Sequence, residues 1–229
     1  MRELAWGKSA AGLVGLTLVC VVVYTILTTL NHTTYYDFLL WNLFLAWIPF
    51  LLSSAAWLLH NRYYKPPALL MTLLALVWLL FLPNSTYILT DFIHLTILKN
   101  SYVEGNWYAF SYWYDFLIIL LIAWNGLLLG FVSMYQWHYM MRGRLGAPLS
   151  WLGVAAVSLL SAYGILLGRE YRLNSWDVLA DPAKLRTSLL SSLEPQALAF
   201  CGLFGLFILA AYGMLYLFLH STERPRSSW

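Results

Sequence analysis

The chain has 229 residues, of which 61% are hydrophobic, 17% aromatic and only 10% charged, with a formal net charge of +3. That balance excludes a soluble globular domain and specifies an integral membrane protein. No basic block with interleaved aromatics is present, so nucleic acid is not an expected partner. Cys20 and Cys201 both fall in apolar segments, which implies no disulfide framework and leaves the redox compartment unread.

A bilayer core about 30 Å thick takes roughly 20 apolar residues per helix. Six segments qualify, at about 9–30, 38–59, 67–83, 113–140, 149–168 and 197–219, and they predict one all-α transmembrane domain over 1–229. The first comes after Arg2 and Lys8 as a signal peptide would, but it runs into Asn31-His32-Thr33-Thr34 without a small-residue cleavage site, and it is read as a retained helix. Cytoplasmic loops collect Lys and Arg. With both termini inside, Arg2, Lys8, Arg62, Lys65, Arg142, Arg144, Arg224 and Arg226 all lie in the cytoplasm. The same topology puts Asp37, Asp91, Glu104, Asp115, Glu170, Asp177, Asp181 and Glu194 on or near the outer side. Aromatics crowd the predicted helix ends, among them Trp41, Trp57 and Trp107, as interfacial belts require. His32, His60, His138 and His220 also fall at predicted helix ends and are read as interfacial.

The third segment ends in Phe81–Leu95, FLPNSTYILTDFIHL, where Pro83-Asn84 interrupts pure hydrocarbon ahead of Asp91 and His94. Proline removes a backbone donor and disfavours helix in the residue before it, while Asn84 or Ser85 can cap a new one. A broken, re-entrant or interfacial helix is therefore expected after Pro83. If Thr86–Leu98 is helical, Tyr87, Asp91 and His94 share one face at i, i+4, i+7. Ionisable residues at such depth are costly and mark candidate sites.

The helix from Trp113 carries a polar seam, with Asp115, Asn125, Gly126, Ser133 and Gln136 within roughly 100° on the helical wheel, a side that must face protein or water. Gly126 and Gly130 form GLLLG, and Gly164 and Gly168 form GILLG, a spacing that lets helices approach closely, within the chain, with a membrane-protein partner or in a homo-oligomer. At the outer end of the fifth helix comes Gly168-Arg169-Glu170-Tyr171-Arg172-Leu173-Asn174-Ser175-Trp176-Asp177. Two arginines three apart suit salt bridges to Asp91, Asp115 or Asp177, or a clamp for an anionic group in which Asn84, Asn174, Trp176 and Asp177 take part. Asp181-Pro182 then reads as an N-cap and first helical residue, with Leu185, Leu189 and Leu193 recurring behind it, and predicts a short amphipathic helix on the outer surface near 182–193.

Asp91, His94, Asp115 and Asp177 form a mixed oxygen and nitrogen set suited to Zn, Mn or Mg, but Asp-x-x-His is a common chance spacing, and metal and cofactor stay unassigned. His94 beside a carboxylate is equally a general base or proton relay.

FLPNSTYILTDFIHL, then WYD at Trp113–Asp115, AWNGLLLGF at Ala123–Phe131 and GRxxRxNSWD from Gly168 to Asp177 occur in an order that resembles the bacterial multi-pass membrane family called domain of unknown function thirteen sixty-one. The resemblance runs from about Trp41 to Tyr216 and implies a bacterial cytoplasmic membrane location. It carries no activity. The family's proline-asparagine-alanine-proline run is Pro83-Asn84-Ser85-Thr86 here, without the second proline.

Three functions fit the pattern. The first is an enzyme at the outer interface acting on a lipid or lipid-linked anionic head group, with Tyr87, Asp91, His94 and Asp115 as acid, base or metal-ligand groups and Asn84, Arg169, Arg172, Asn174, Trp176 and Asp177 binding substrate. The second is a small-solute or ion-coupled transporter, with a helix broken at Pro83-Asn84 and Asp115, Asn125, Ser133 and Gln136 lining its path. The third is a structural or assembly subunit whose outer polar cluster is an internal salt-bridge network.

Overall fold

The computed structural model describes residues 2–31, 36–97 and 108–221. Among them every regular element is helical: α1 Arg2–Asn31, α2 Asp37–Arg62, α3 Ala68–Tyr87, a 3-10 segment Ile88–Phe92, α4 Ile93–Ile97, α5 Tyr108–Leu145, α6 Ala147–Glu170, α7 Asp177–Ala180, α8 Pro182–Ser191 and α9 Pro195–Ser221. Six spans are long and apolar enough to cross a membrane, Gly7–Thr29, Asp37–Arg62, Ala68–Ile97, Tyr112–Leu145, Ala147–Glu170 and Pro195–Ser221, so the chain is a multi-pass membrane protein. His32, Glu104, Trp107, Arg224 and Arg226 lie outside the described residues.

Prolines set several of the helix starts. Pro67 precedes α3, Pro148 opens α6 after Gly146 at φ +80°, and Pro182 comes directly after Asp181, whose carboxylate accepts the Lys184 N–H at 3.0 Å. The short helix expected near 182–193 is thus present as α8.

The central element is α5, which packs on α1, α2, α3 and α6 and on the 3-10 segment. In its apolar stretch 61% of residues are buried, against 17% in that of α1, which lies at the edge of the bundle. α9 docks chiefly on α6. One apolar cluster centres on Leu39, Leu43, Ile119 and Ile122, the other on Leu82, Leu127, Ile165 and Ile208. Leu18, Leu51, Leu69, Leu152 and Leu203 are each more than half exposed and form the surface that hydrocarbon would cover.

The helix does not break at Pro83, which corrects the sequence expectation of a new helix capped there. α3 runs on to Tyr87 and changes to 3-10 winding only at Ile88. Side chains supply the crowded turn before the ring with extra donors: Asn84 Nδ2 donates to the Phe81 carbonyl at 3.0 Å and Ser175 Oγ to the Leu80 carbonyl at 3.0 Å. Such repair is what lets a membrane helix carry an internal proline.

Both small-residue motifs close on this segment. A Cβ at Gly126 would stand 2.8 Å from the Ser85 carbonyl and 2.7 Å from Ile88 Cδ1, and one at Gly130 would overlap Ser85 Oγ. From the other side, a Cβ at Gly164 would overlap the Pro83 ring, and one at Gly168 would stand 3.2 Å from Tyr87 Cε2. GLLLG and GILLG therefore clasp the chain's own α3 between α5 and α6.

The polar seam of α5 faces protein. Asn125 donates to Thr17 Oγ1 of α1 at 2.7 Å. Ser133 donates to the Pro49 carbonyl at 3.1 Å and accepts from Trp78. Gln136 engages Ser53 and Ser54 of α2. His138, read from the sequence as interfacial, is 2% exposed, with Nδ1 2.7 Å from the Tyr212 hydroxyl and Nε2 3.2 Å from Ser150 Oγ. Ser150 donates in turn to the Ala147 carbonyl, so a neutral ring protonated at Nε2 satisfies the whole chain of bonds.

Candidate functional site

The candidate site lies where α2, the end of α3 and the end of α6 meet. Asp91, on the 3-10 segment, is 1% exposed. Its Oδ2 accepts from Asn42 Nδ2 at 2.8 Å, and its Oδ1 lies 3.4 Å from Arg169 NH1. This is the one salt bridge among the described residues. Arg169 also donates to the Tyr87 hydroxyl at 3.2 Å and the Thr90 carbonyl at 2.6 Å, and its guanidinium stands 5.5 Å from the Tyr87 ring centroid. One carboxylate and one guanidinium thus tie three helical segments together, with the hydrogen bonds a buried pair needs.

The 3-10 winding decides which neighbours on the sequence face stay together. Five residues at about 120° each, in place of about 100°, rotate the next turn of helix by about 100°. Tyr87 and Asp91 still meet at Arg169, whereas the His94 ring lies against Phe38, with centroids 4.4 Å apart. Asp115 accepts from the Tyr36 hydroxyl at 2.8 Å. Asp177 accepts the Asn174 N–H at 2.8 Å and holds its own loop. No three His, Cys, Asp or Glu side chains converge as a metal site among the described residues, so the mixed set drawn from the sequence is not assembled.

Beside the ion pair opens a cavity of about 370 Å³. Its polar wall comprises Asn42, Asn84, Tyr87, Arg172, Asn174 and Ser175, with Trp41, Pro83 and Gly168 among the apolar lining. Asn84 Nδ2 donates to Ser175 Oγ at 3.0 Å, which joins the PN turn to the NSWD loop. Trp176 stands at the rim, 6.4 Å from the Trp41 ring and 40% exposed. Arg172 has φ +51°, a left-handed conformation costly for a side-chain-bearing residue. Lys184 Nζ donates to its carbonyl at 2.9 Å, and Leu173 N–H returns to the Leu167 carbonyl at 3.1 Å, which together hold that conformation. Among the described residues no hydrogen bond or ion pair engages the Arg172 guanidinium.

The structure thus brings Tyr87, Asp91 and Arg169 into one contact set, and Tyr87, Asn84, Arg172 and Asn174 into one cavity. His94, Asp115, Trp176 and Asp177 line neither. Sequence reasoning missed Asn42 and Ser175. An asparagine inside LLWNLFL was the available signal for the first, since a lone amide in an apolar span needs a partner. Ser175 carried none beyond its place in NSWD.

The chain matches the family described as Protein of unknown function (DUF1361) over residues 41–211, which takes in every residue of the contact set and the cavity. No curated protein and no solved structure matches it.

Proposed function

The chain belongs to the DUF1361 family of proteins of unknown function, and from that premise we propose that it takes an anionic, lipid-linked head group into the cavity between α2, α3 and α6, on the outer face of a bacterial cytoplasmic membrane. The observation that carries this reading is Arg172: a guanidinium without a partner among the described residues, on a strained turn, at the wall of a cavity whose other polar groups are three amides, a phenol and a hydroxyl and whose remaining lining is apolar. Strain persists where the surroundings over-determine it, as at ligand clamps. Guanidinium and amide donors suit phosphate or carboxylate oxygens, and the exposed Trp41 and Trp176 suit the depth at which head groups sit. The excess of Lys and Arg at the opposite ends of the helices supports the sidedness.

In this reading Asp91 and Arg169 brace the walls rather than react, and Tyr87, shared by the brace and the cavity, is the group placed to exchange a proton with a bound head group. The sealed seam of α5 favours a binding site or an interfacial enzyme over a transport path. The test is native mass spectrometry of the full chain extracted gently from its membrane. A lipid-linked anionic adduct is expected on the wild-type protein and absent from folded Arg172→Gln and Asn84→Leu variants. A wild-type protein without such an adduct, or variants that keep it, would overturn the proposal.

A further inference from the structure

At the other end of the bundle lies a second cavity, of about 600 Å³, between α1, α2, α5 and α9. Its lining is graded along α5. Leu128, at the middle of the span Tyr112–Leu145, and Val132 one turn on are apolar; Arg142 closes the far end. Fourteen residues of helix separate Leu128 from Arg142, a rise of about 21 Å. Half of a hydrocarbon core is about 15 Å, so the cavity reaches from mid-membrane to the head-group level of one leaflet.

The polar end is built around Arg142 and His220. One Arg142 nitrogen donates to the Tyr216 hydroxyl. His220 Nδ1 lies 2.8 Å from the Tyr216 carbonyl, and its ring stacks on Tyr216 with centroids 4.0 Å apart. A guanidinium bonded through one nitrogen keeps its other N–H groups for an oxyanion. His138 also lines the cavity, but both its ring nitrogens are engaged by Tyr212 and Ser150, so it adds shape rather than donors.

We infer that this cavity is a binding site for one anionic phospholipid of the leaflet on the basic side, its acyl chain along Leu128, Val132 and Leu215 and its phosphate at Arg142 beside His220. The length, the gradient from apolar to cationic and the position within a single leaflet each match a membrane lipid. A soluble metabolite would have no use for the apolar reach to Leu128. The basic residues Lys8 and Arg144 close to this end in sequence favour an anionic over a zwitterionic head group.

The probe is a detergent micelle doped with either phosphatidylglycerol or phosphatidylcholine, with retained lipid counted by mass spectrometry on the full chain after exchange into lipid-free detergent. The wild-type protein is expected to keep one phosphatidylglycerol, and Arg142→Gln to reduce its retention about fivefold or more, the scale of one cation at a charged lipid surface. Arg142→Lys, which preserves charge, should retain it. Val132→Trp fills the apolar part and should lose either lipid, so the inference stays testable if Arg142→Gln does not fold. Lys65→Gln removes an exposed cation that lines neither cavity and should leave this retention unchanged, which separates the lining of the cavity from general surface charge. Equal retention of the two lipids, or unchanged retention in Arg142→Gln and Val132→Trp, would overturn it.

Discussion

Arg169, on the last turn of α6, reaches Asp91 on the 3-10 segment at 3.4 Å while its second terminal nitrogen donates to the Thr90 carbonyl at 2.6 Å. The guanidinium therefore holds both the side chain and the backbone of the segment beyond α3. With Asn42 on the opposite carboxylate oxygen, the pair fixes the spacing of α2, α3 and α6.

Removing either partner should destabilise the fold. Asp91→Asn leaves Arg169 to the Tyr87 hydroxyl and the Thr90 carbonyl; Arg169→Gln leaves a carboxylate that is 1% exposed with Asn42 alone. Each should cost about 2–3 kcal/mol, discounted from fully buried pairs because Arg169 retains 18% exposure. The double variant should cost less than the sum, with a coupling of about 1–2 kcal/mol. Unfolding in detergent across the four proteins checks this, and additive costs would show that the pair does not act as a brace.

The glycine clasps predict a split among glycines. Gly126→Ala and Gly164→Ala each push a methyl group against backbone or a rigid proline ring, and should cost about 1–3 kcal/mol. Gly202 and Gly213 of α9 have nothing within 4 Å of an added Cβ, so alanine there should be neutral or gain up to about 1 kcal/mol of helix propensity. Thermal midpoints of the four variants rank them. If Gly126→Ala and Gly213→Ala melt alike, the close approach of α5 to α3 is not what GLLLG serves.

Six helices long and apolar enough to span a membrane, and α8, were legible because length, hydropathy and an Asp-Pro start are local signals. The seam of α5 was legible too, since Asn125, Ser133 and Gln136 lie on one side of a regular helix, although not their partners Thr17, Pro49 and Ser53. The course of the chain after Pro83 was not. Whether a proline breaks a helix depends on donors brought from elsewhere, and Ser175 arrives from 91 residues beyond Asn84. The parting of His94 from Asp91 was illegible for a related reason: a switch to 3-10 winding leaves no mark in residue type.

Arg172 offers a separation of stability from binding. Glycine accepts φ +51° without the penalty that a Cβ incurs, so Arg172→Gly should keep the fold and gain up to about 1 kcal/mol. The same variant removes the guanidinium from the cavity wall and should lose the anionic adduct. A protein that melts no lower yet no longer carries the adduct would place the cost of the strained turn on function. Lower stability together with a retained adduct would assign Arg172 a structural role instead.

The union of the PN turn with the NSWD loop makes the last prediction. Pro83 removes a backbone donor and crowds the turn before it, and the Leu80 carbonyl in that turn accepts from Ser175 Oγ. Ser175→Ala removes that bond together with the one accepted from Asn84 Nδ2 and should therefore cost about 2 kcal/mol, the scale of two intramolecular hydrogen bonds. In a Pro83→Ala background the restored N–H reaches the Leu79 carbonyl and the ring no longer crowds the Leu80 carbonyl beside it, so the Leu80 share of that cost, about half, should be lost while the Asn84 share remains. Pro83→Ala also withdraws the ring packed on Gly164, but that loss is common to both proteins in its background and cancels from the coupling. Thermal unfolding of the cycle in one detergent measures it. An equal cost in the two backgrounds would mean that Ser175 positions Asn84 for the cavity and does not repair the helix.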